Sequence, residues 1–237
     1  MEPSNDTATA TTAKGAVRIE EPTRAERLIG RRAAESRATV PHLELTAVVD
    51  MTALCELRAT GGESVPTLTA VIVRACALAL REHPRANGAY RDGHYELHSR
   101  VNVGVALMTG DAFAVPTVPD ADTKTAPAID AELRALAGRA RAGTITPPEL
   151  AGATFTVFDL GMLGVTSFQP PVVPPQAAIL AAGSVRATPI VRGGDIVAGH
   201  EMNLTLACDH RILFGAKAAG FLTRIRALLE RPRELLA

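Results

Sequence analysis

The densest chemistry in this sequence is the run Cys208-Asp209-His210-Arg211, placed between a strand pattern and a helix pattern. A histidine leaving a strand end is well placed to face a cleft. Imidazole titrates near neutral pH, and its neutral form takes a proton from a hydroxyl or a thiol. The bland alternative is a histidine that only bonds backbone. Cys208 and His210 stand two apart on a strand and share a face, which permits a Cys–His nucleophile pair. Cys208 also continues the apolar alternation of Leu204 and Leu206, and that pattern reads as core. His83, His94, His98 and His200 lie beside turn signals and read as surface groups. Cys55, Cys76 and Cys208 are odd in number and widely spaced. They make neither a disulfide framework nor a zinc cluster, so reduced thiols and no metal are expected.

Composition narrows the function further. The 237 residues carry 25 Lys+Arg against 25 Asp+Glu. That balance argues against nucleic-acid binding, which draws its affinity from a basic surface. Hydrophobic residues are 47% and charged residues 21%, as in an ordinary globular chain. Aromatics are only 3% with no Trp, so the core must be aliphatic and stacking platforms for bases or sugars are not expected. The longest apolar run, 177–185, is far short of the ~20 residues of a membrane span. The first residues lack the order of a signal peptide. A soluble, cytoplasmic protein with no membrane partner is the expectation.

These groups need elements to position them. Residues 1–21 show no periodicity and read as a flexible N-terminal tail, leaving 22–237 as one domain. Thr23 with Glu26 is a capping box opening a helix through Arg27, Ile29, Arg32 and Glu35. Residues 43–49 read as a strand and 52–58 as a short helix. Leu68, Val71, Ile72, Ala75 and Ala79 make a helical stripe in 66–82. Turns at Asn87-Gly88 and Asp92-Gly93 separate short strands. Strands are expected at 100–108, 112–118, 154–157, 176–184 and 198–208. Helices are expected at 126–141 and 215–229, the latter ended by Pro232. Residues 161–175 are a loop dense in Gly and Pro.

Asp209-His210-Arg211-Ile212-Leu213-Phe214-Gly215 resembles the DHRxxDG signature of the acyltransferase component of 2-oxo acid dehydrogenase complexes. Four further stretches agree in order: Arg32 with Glu35-Ser36 and Pro41-His42; Val115-Pro116 with Asp120-Ala121-Asp122 and Lys124; 151–157 with 160–165; and Pro174-Pro175-Gln176 running into 177–180. The resemblance covers about 22–237. It implies an α/β, chloramphenicol-acetyltransferase-like fold, a mixed sheet flanked by helices. It also implies a histidine, here His210, that deprotonates an acceptor for direct attack on an acyl thioester. In trimeric members the site lies between subunits, so a homotrimer is implied. His42 matches the family's Pro-His pair and is expected to line the acceptor side.

Two positions depart from the family pattern. Phe158 stands where the resemblance places the serine that stabilises the oxyanion, and Phe214 where it places an acidic or amide residue that pairs with an arginine, here Arg32. Phenylalanine does neither job. Asp159 or Asp209 are the candidate partners for Arg32, solvent being the other outcome. Thr156, Thr166 and Ser167 are the candidates to replace the hydroxyl. Phe158 and Phe214 imply a pocket shaped for a bulkier, less polar acceptor than dihydrolipoamide. About twenty residues precede the domain, so no lipoyl group is expected on this chain. The donor is then diffusible acetyl-CoA or a carrier-bound acyl group. Free-standing domains of this kind resemble the acetyltransferases of spirotetronate antibiotic clusters, which acetylate an alcohol on a tetronate ring. The leading expectation is therefore acetyl transfer to a hydroxyl of a small molecule. The alternatives are a non-catalytic scaffold, or a condensing or cyclising enzyme acting on a carrier-bound thioester.

Overall fold

The computed structural model describes residues 9–13, 15–109 and 112–236. Among the described residues twelve strands occur: β1 (Thr9–Thr12), β2 (Gly15–Arg18), β3 (His42–Asp50), β4 (Gly88–Arg91), β5 (His94–Leu97), β6 (Val103–Thr109), β7 (Ala112–Ala114), β8 (Thr117–Val118), β9 (Phe155–Asp159), β10 (Ala178–Ala182), β11 (Arg186–Arg192) and β12 (Asp195–Asp209). Six helices accompany them: α1 (Arg24–Thr39), α2 (Thr52–Gly61), α3 (Leu68–Glu82), α4 (Ala126–Arg141), α5 (Gly215–Leu229) and α6 (Pro232–Leu236). Among the described residues no helix is long and apolar enough to cross a membrane.

The main sheet is mixed, as the resemblance implies. Its order is β11-β12-β10-β9-β6-β7, with β3 on the second half of β12 and β8 on β6. β9 runs parallel to both β10 and β6, while β12 runs antiparallel to β10, β11 and β3. One face is buried under α3, α4 and α5. Phe155, Val157, Leu180, Leu204, Leu206 and Cys208 pack there with Val71, Ile72, Ile129, Phe221 and Ile225. Phe155 and Phe221 meet edge to face at 5.6 Å and supply much of the bulk of an otherwise aliphatic core. The opposite face holds a smaller cluster of Val40, Val172, Ile179 and Ala207, against which Phe158 and Val173 pack.

Local sequence accounts for the frame. The Thr23 hydroxyl accepts from the Glu26 N–H at 3.2 Å, and Glu26 accepts from the Thr23 N–H at 2.6 Å, so the capping box starts α1 as expected. Asp130, buried on α4, accepts from the Thr67 N–H at 3.1 Å and from Arg134 Nε at 2.8 Å, and also from the Thr67 hydroxyl. It thereby ties α4 to the start of α3. Burial alone would push its carboxyl up, but those hydrogen bonds outweigh it and hold the group below the usual carboxylate range. A lowered folded value stabilises above the unfolded value, about 4 for aspartate, and that contribution is lost as pH falls through the folded value. Asp130→Asn is therefore expected to cost about 1–2 kcal/mol at neutral pH. In urea melts run at several pH values, the deficit should shrink below about pH 4.

Several expectations are corrected. Residues 9–12 pair with 15–18 as an antiparallel hairpin where an irregular tail is expected; Thr and Val favour the pleat, and Gly15 turns the chain at φ +95°. Residues 1–8 and Lys14, also assigned to that tail, lie outside the described residues. β11 has no counterpart in the sequence reading, because Pro189 and the flanking arginines break a strand pattern. It pairs only with β12, and an edge strand tolerates proline. Pro232 does not merely end α5 but opens α6, where its missing N–H costs nothing.

Candidate active site

His210 follows the last residue of β12. The turn that carries it is fixed from below: Ile212 and Leu213 are fully buried and both donate to Asp209 O, at 3.1 and 3.0 Å. The His210 N–H itself donates to Pro41 O at 2.9 Å, leaving the imidazole exposed. Its ring stands edge-on to Phe214 at 6.5 Å. Cys208 points the other way. It is fully buried, its Sγ lies 3.2 Å from Leu213 O, and burial pushes its thiol up to about 12. It is a core residue, and the nucleophile pair is not formed.

Asp209 is 4% exposed and is consumed by its own turn. It accepts from the Arg211 N–H and Nε, both at 2.9 Å to Oδ1, and from Arg211 Nη2 at 2.7 Å. The guanidinium lies over Tyr90, 4.6 Å from the ring centre. This pair holds the loop that presents His210. Removing one partner of a buried ion pair strands the other. Arg211 is partly exposed, which reduces the cost. Arg211→Ala is expected to lose about 2–3 kcal/mol in a denaturant melt, and Asp209→Asn clearly less.

A second group of expected residues gathers elsewhere. Arg32, Thr156 and Phe158 line a cavity of about 470 Å³ with Ile29, Val172 and Ile179. Alternation along β9 puts Thr156 and Phe158 on the thinly covered sheet face. Phe158 meets Phe168 edge to face at 5.1 Å. The Thr156 hydroxyl donates to Gln176 Oε1 at 2.7 Å, so its proton is already committed. His42 forms part of the wall's support rather than the wall. Its Nδ1 donates to Val40 O at 2.8 Å and its Nε2 accepts from the Val172 N–H at 3.1 Å. Ser36 adds a 2.5 Å bond to Val172 O.

Other expectations fail on position. Arg32 is exposed at the cavity and makes no ion pair among the described residues. Asp209 is held by Arg211, and Asp159 faces a different cleft, so neither partners it. Asp159 accepts from the Thr69 hydroxyl at 2.8 Å and from the Gly161 N–H at 2.9 Å, beside Arg58, Arg134 and Arg141. Thr166 and Ser167 are exposed and stand outside the lining of the Phe158 cavity. Their loop lies on the end of β10, where a Cβ on Gly183 would sit 2.0 Å from Thr166 O. Phe214 is 41% exposed beside His210 and not beside Arg32. Single-residue reading missed Ser36, which needs its partner 136 residues away, and Arg85, Tyr95 and Lys217, which only folding brings near His210.

Within one chain, therefore, His210 and the cavity are separate. His210 is not among the cavity's lining residues, and the strands leading to the two, β12 and β9, flank β10 at ~10 Å by ordinary strand spacing.

Residues 15–237 match the family model described as 2-oxoacid dehydrogenases acyltransferase (catalytic domain). The dihydrolipoyllysine-residue acetyltransferase component of the pyruvate dehydrogenase complex of Zymomonas mobilis is 35% identical over 217 residues, which are 89% of this chain and 49% of that protein. The chain thus spans about half the length of such relatives. A dihydrolipoamide acetyltransferase from Azotobacter vinelandii, studied for a serine, a histidine and an asparagine in its catalytic mechanism, superposes at TM-score 0.87 with 29% identity, covering 95% of this chain and 96% of that one. The cubic core of a pyruvate dehydrogenase multienzyme complex superposes with the same values. A chloramphenicol acetyltransferase, at TM-score 0.53 and 16% identity over 95% of this chain and 99% of that one, shares the fold. These relatives give the expected tetronate acceptor no support.

Proposed function

Because the chain belongs to the family of 2-oxoacid dehydrogenase acyltransferase catalytic domains, we propose that it moves an acyl group between coenzyme A and a thiol, with His210 as the general base. The observation that carries this reading is the exposed imidazole held at a strand end by a buried, hydrogen-bonded turn. In this reading the acceptor is a dihydrolipoyl group carried on a separate domain, the group in the names of the relatives, and the simplest donor is acetyl-CoA. His210 takes the acceptor's S–H proton. The sulfur then attacks the thioester carbonyl, and coenzyme A leaves as a thiolate that recovers the proton.

The separation of base and cavity supports a site made by two copies, His210 from one and the Phe158 cavity from the next, in a homotrimer. Such a head-to-tail contact closes a ring and gives one site per copy. Phe158 also favours a second reading, in which the acceptor is a hydroxyl on a bulky apolar small molecule and acetyl-CoA is the donor. With Phe214, it favours a third as well, a core that assembles without turnover.

Incubation with acetyl-CoA and either dihydrolipoamide or apolar alcohols, following free coenzyme A and product mass, separates the three. An acetyl thioester of dihydrolipoamide supports the main reading, and an acetyl ester the second. No transfer to any acceptor, with His210→Ala indistinguishable from the parent, leaves the scaffold. Sedimentation should give three copies.

A further inference from the structure

Beside His210 lies a group of side chains that the acyl-transfer step does not use. The Phe214 ring, exposed and edge-on to the imidazole, has the Arg85 guanidinium 5.6 Å from its centre and Lys217 Nζ at 5.7 Å. Arg85 also lies over the exposed Tyr95 ring at 4.5 Å. Tyr95 is itself fixed, its hydroxyl donating to Arg211 O at 3.1 Å in the turn that carries His210. Neither Arg85 nor Lys217 has a carboxylate partner among the described residues, whereas thirteen other ion pairs occupy cations over the surface. Two unneutralised cations held on aromatic faces, one ring's width from the base, form a preorganised anion site with an apolar floor.

Position limits what the anion is. A diphosphate at this place would have to lie one ring away from the thiol it presents to His210, and an extended pantetheine arm is far too long for that. The anion must instead follow the reacting atom by a short chain. We propose that Arg85, Phe214 and Lys217 form a specificity subsite for a carboxylate, or an equivalent monoanion, a few bonds from the reacting centre, borne either by the acyl group or by the acceptor. The proposal rests on His210 as the base. It replaces the neutral apolar acceptor that Phe214 alone suggests: the phenyl ring is a platform for two cations as much as an apolar wall.

The test uses two matched pairs of probes. Succinyl-CoA against butyryl-CoA places the charge on the acyl group, and 3-mercaptopropionate against 3-mercaptopropionamide places it on the acceptor. The parent protein is expected to favour the anionic member of one pair in kcat/KM, by about tenfold or more. The preference should fade as salt is raised. R85Q/K217M is expected to abolish that preference while leaving kcat for the neutral probes unchanged. Equal kcat/KM within both pairs, or a preference retained in the double variant, overturns the subsite. Calorimetric titration of succinyl-CoA, and separately of 3-mercaptopropionate, into H210A and into H210A/R85Q/K217M reads the subsite without turnover. Weaker binding of either ligand in the triple variant supports the subsite even when H210A shows that the base is another group, and equal binding of both overturns it.

Discussion

His210→Ala lowers kcat for acyl transfer by ~10²–10⁴-fold, the usual loss when a positioned base is removed. The melting temperature stays where it was. The ring is exposed and stands edge-on to the exposed Phe214, so truncation leaves no cavity and strands no buried partner. His210→Gln keeps the volume and the polarity but cannot take the proton, and should fall equally far. The checking measurement is release of free coenzyme A at saturating acetyl-CoA, paired with a thermal melt. A variant that loses activity only in proportion to lost folded protein would show that the imidazole is structural. Arg211→Ala serves as the contrast, since it is expected to lose stability first and activity through the loosened turn.

Phe158→Ser raises turnover with dihydrolipoamide by about 10²-fold, the worth of one oxyanion donor. The hydroxyl would enter a cavity whose lining hydroxyl, on Thr156, is already donating to Gln176 at 2.7 Å. A half-buried ring that packs on Phe168 is lost in exchange, at about 2–3 kcal/mol. The two effects separate cleanly: kcat rises while the urea midpoint falls. Phe158→Ala is the control, with the same loss of packing and no gain in rate. Should Phe158→Ser and Phe158→Ala behave alike towards every acceptor, the ring is a packing residue and the shaped-cavity reading fails.

How much of this was legible beforehand depends on the range of the interaction. Contacts within four residues left clear marks. Thr23 and Glu26 announced the start of α1, and the apolar positions Ile129, Leu133 and Leu136 marked α4 over its observed span. The histidine at the strand end was legible because its neighbours formed a recognisable signature. Long-range pairings left no mark. For Arg32 the sequence leaves Asp159, Asp209 and solvent open; Asp209 bends back on Arg211 two residues away and Asp159 turns to the opposite face by strand alternation, so the exposed Arg32 takes the third. His42 was expected at the acceptor side, but its two ring nitrogens are spent on Val40 and Val172, a link across 130 residues. Pro189 hid β11 for a further reason: an edge strand and a loop share the same local preferences, and only the partner strand decides between them.

The division of labour between β12 and β9 bears on how such a chain changes over generations. The backbone N–H of His210 is bonded to Pro41, and its turn is held by buried Ile212 and Leu213; the hollow is shaped by Phe158, Phe168 and a wall pinned through Ser36. The two sets meet only through neighbours in the chain: Pro41 accepts from the His210 N–H, and His42 accepts from the Val172 N–H. Substitutions on β9 can therefore reshape the hollow without touching the turn under His210, whereas a change at Pro41 or His42 would reach both.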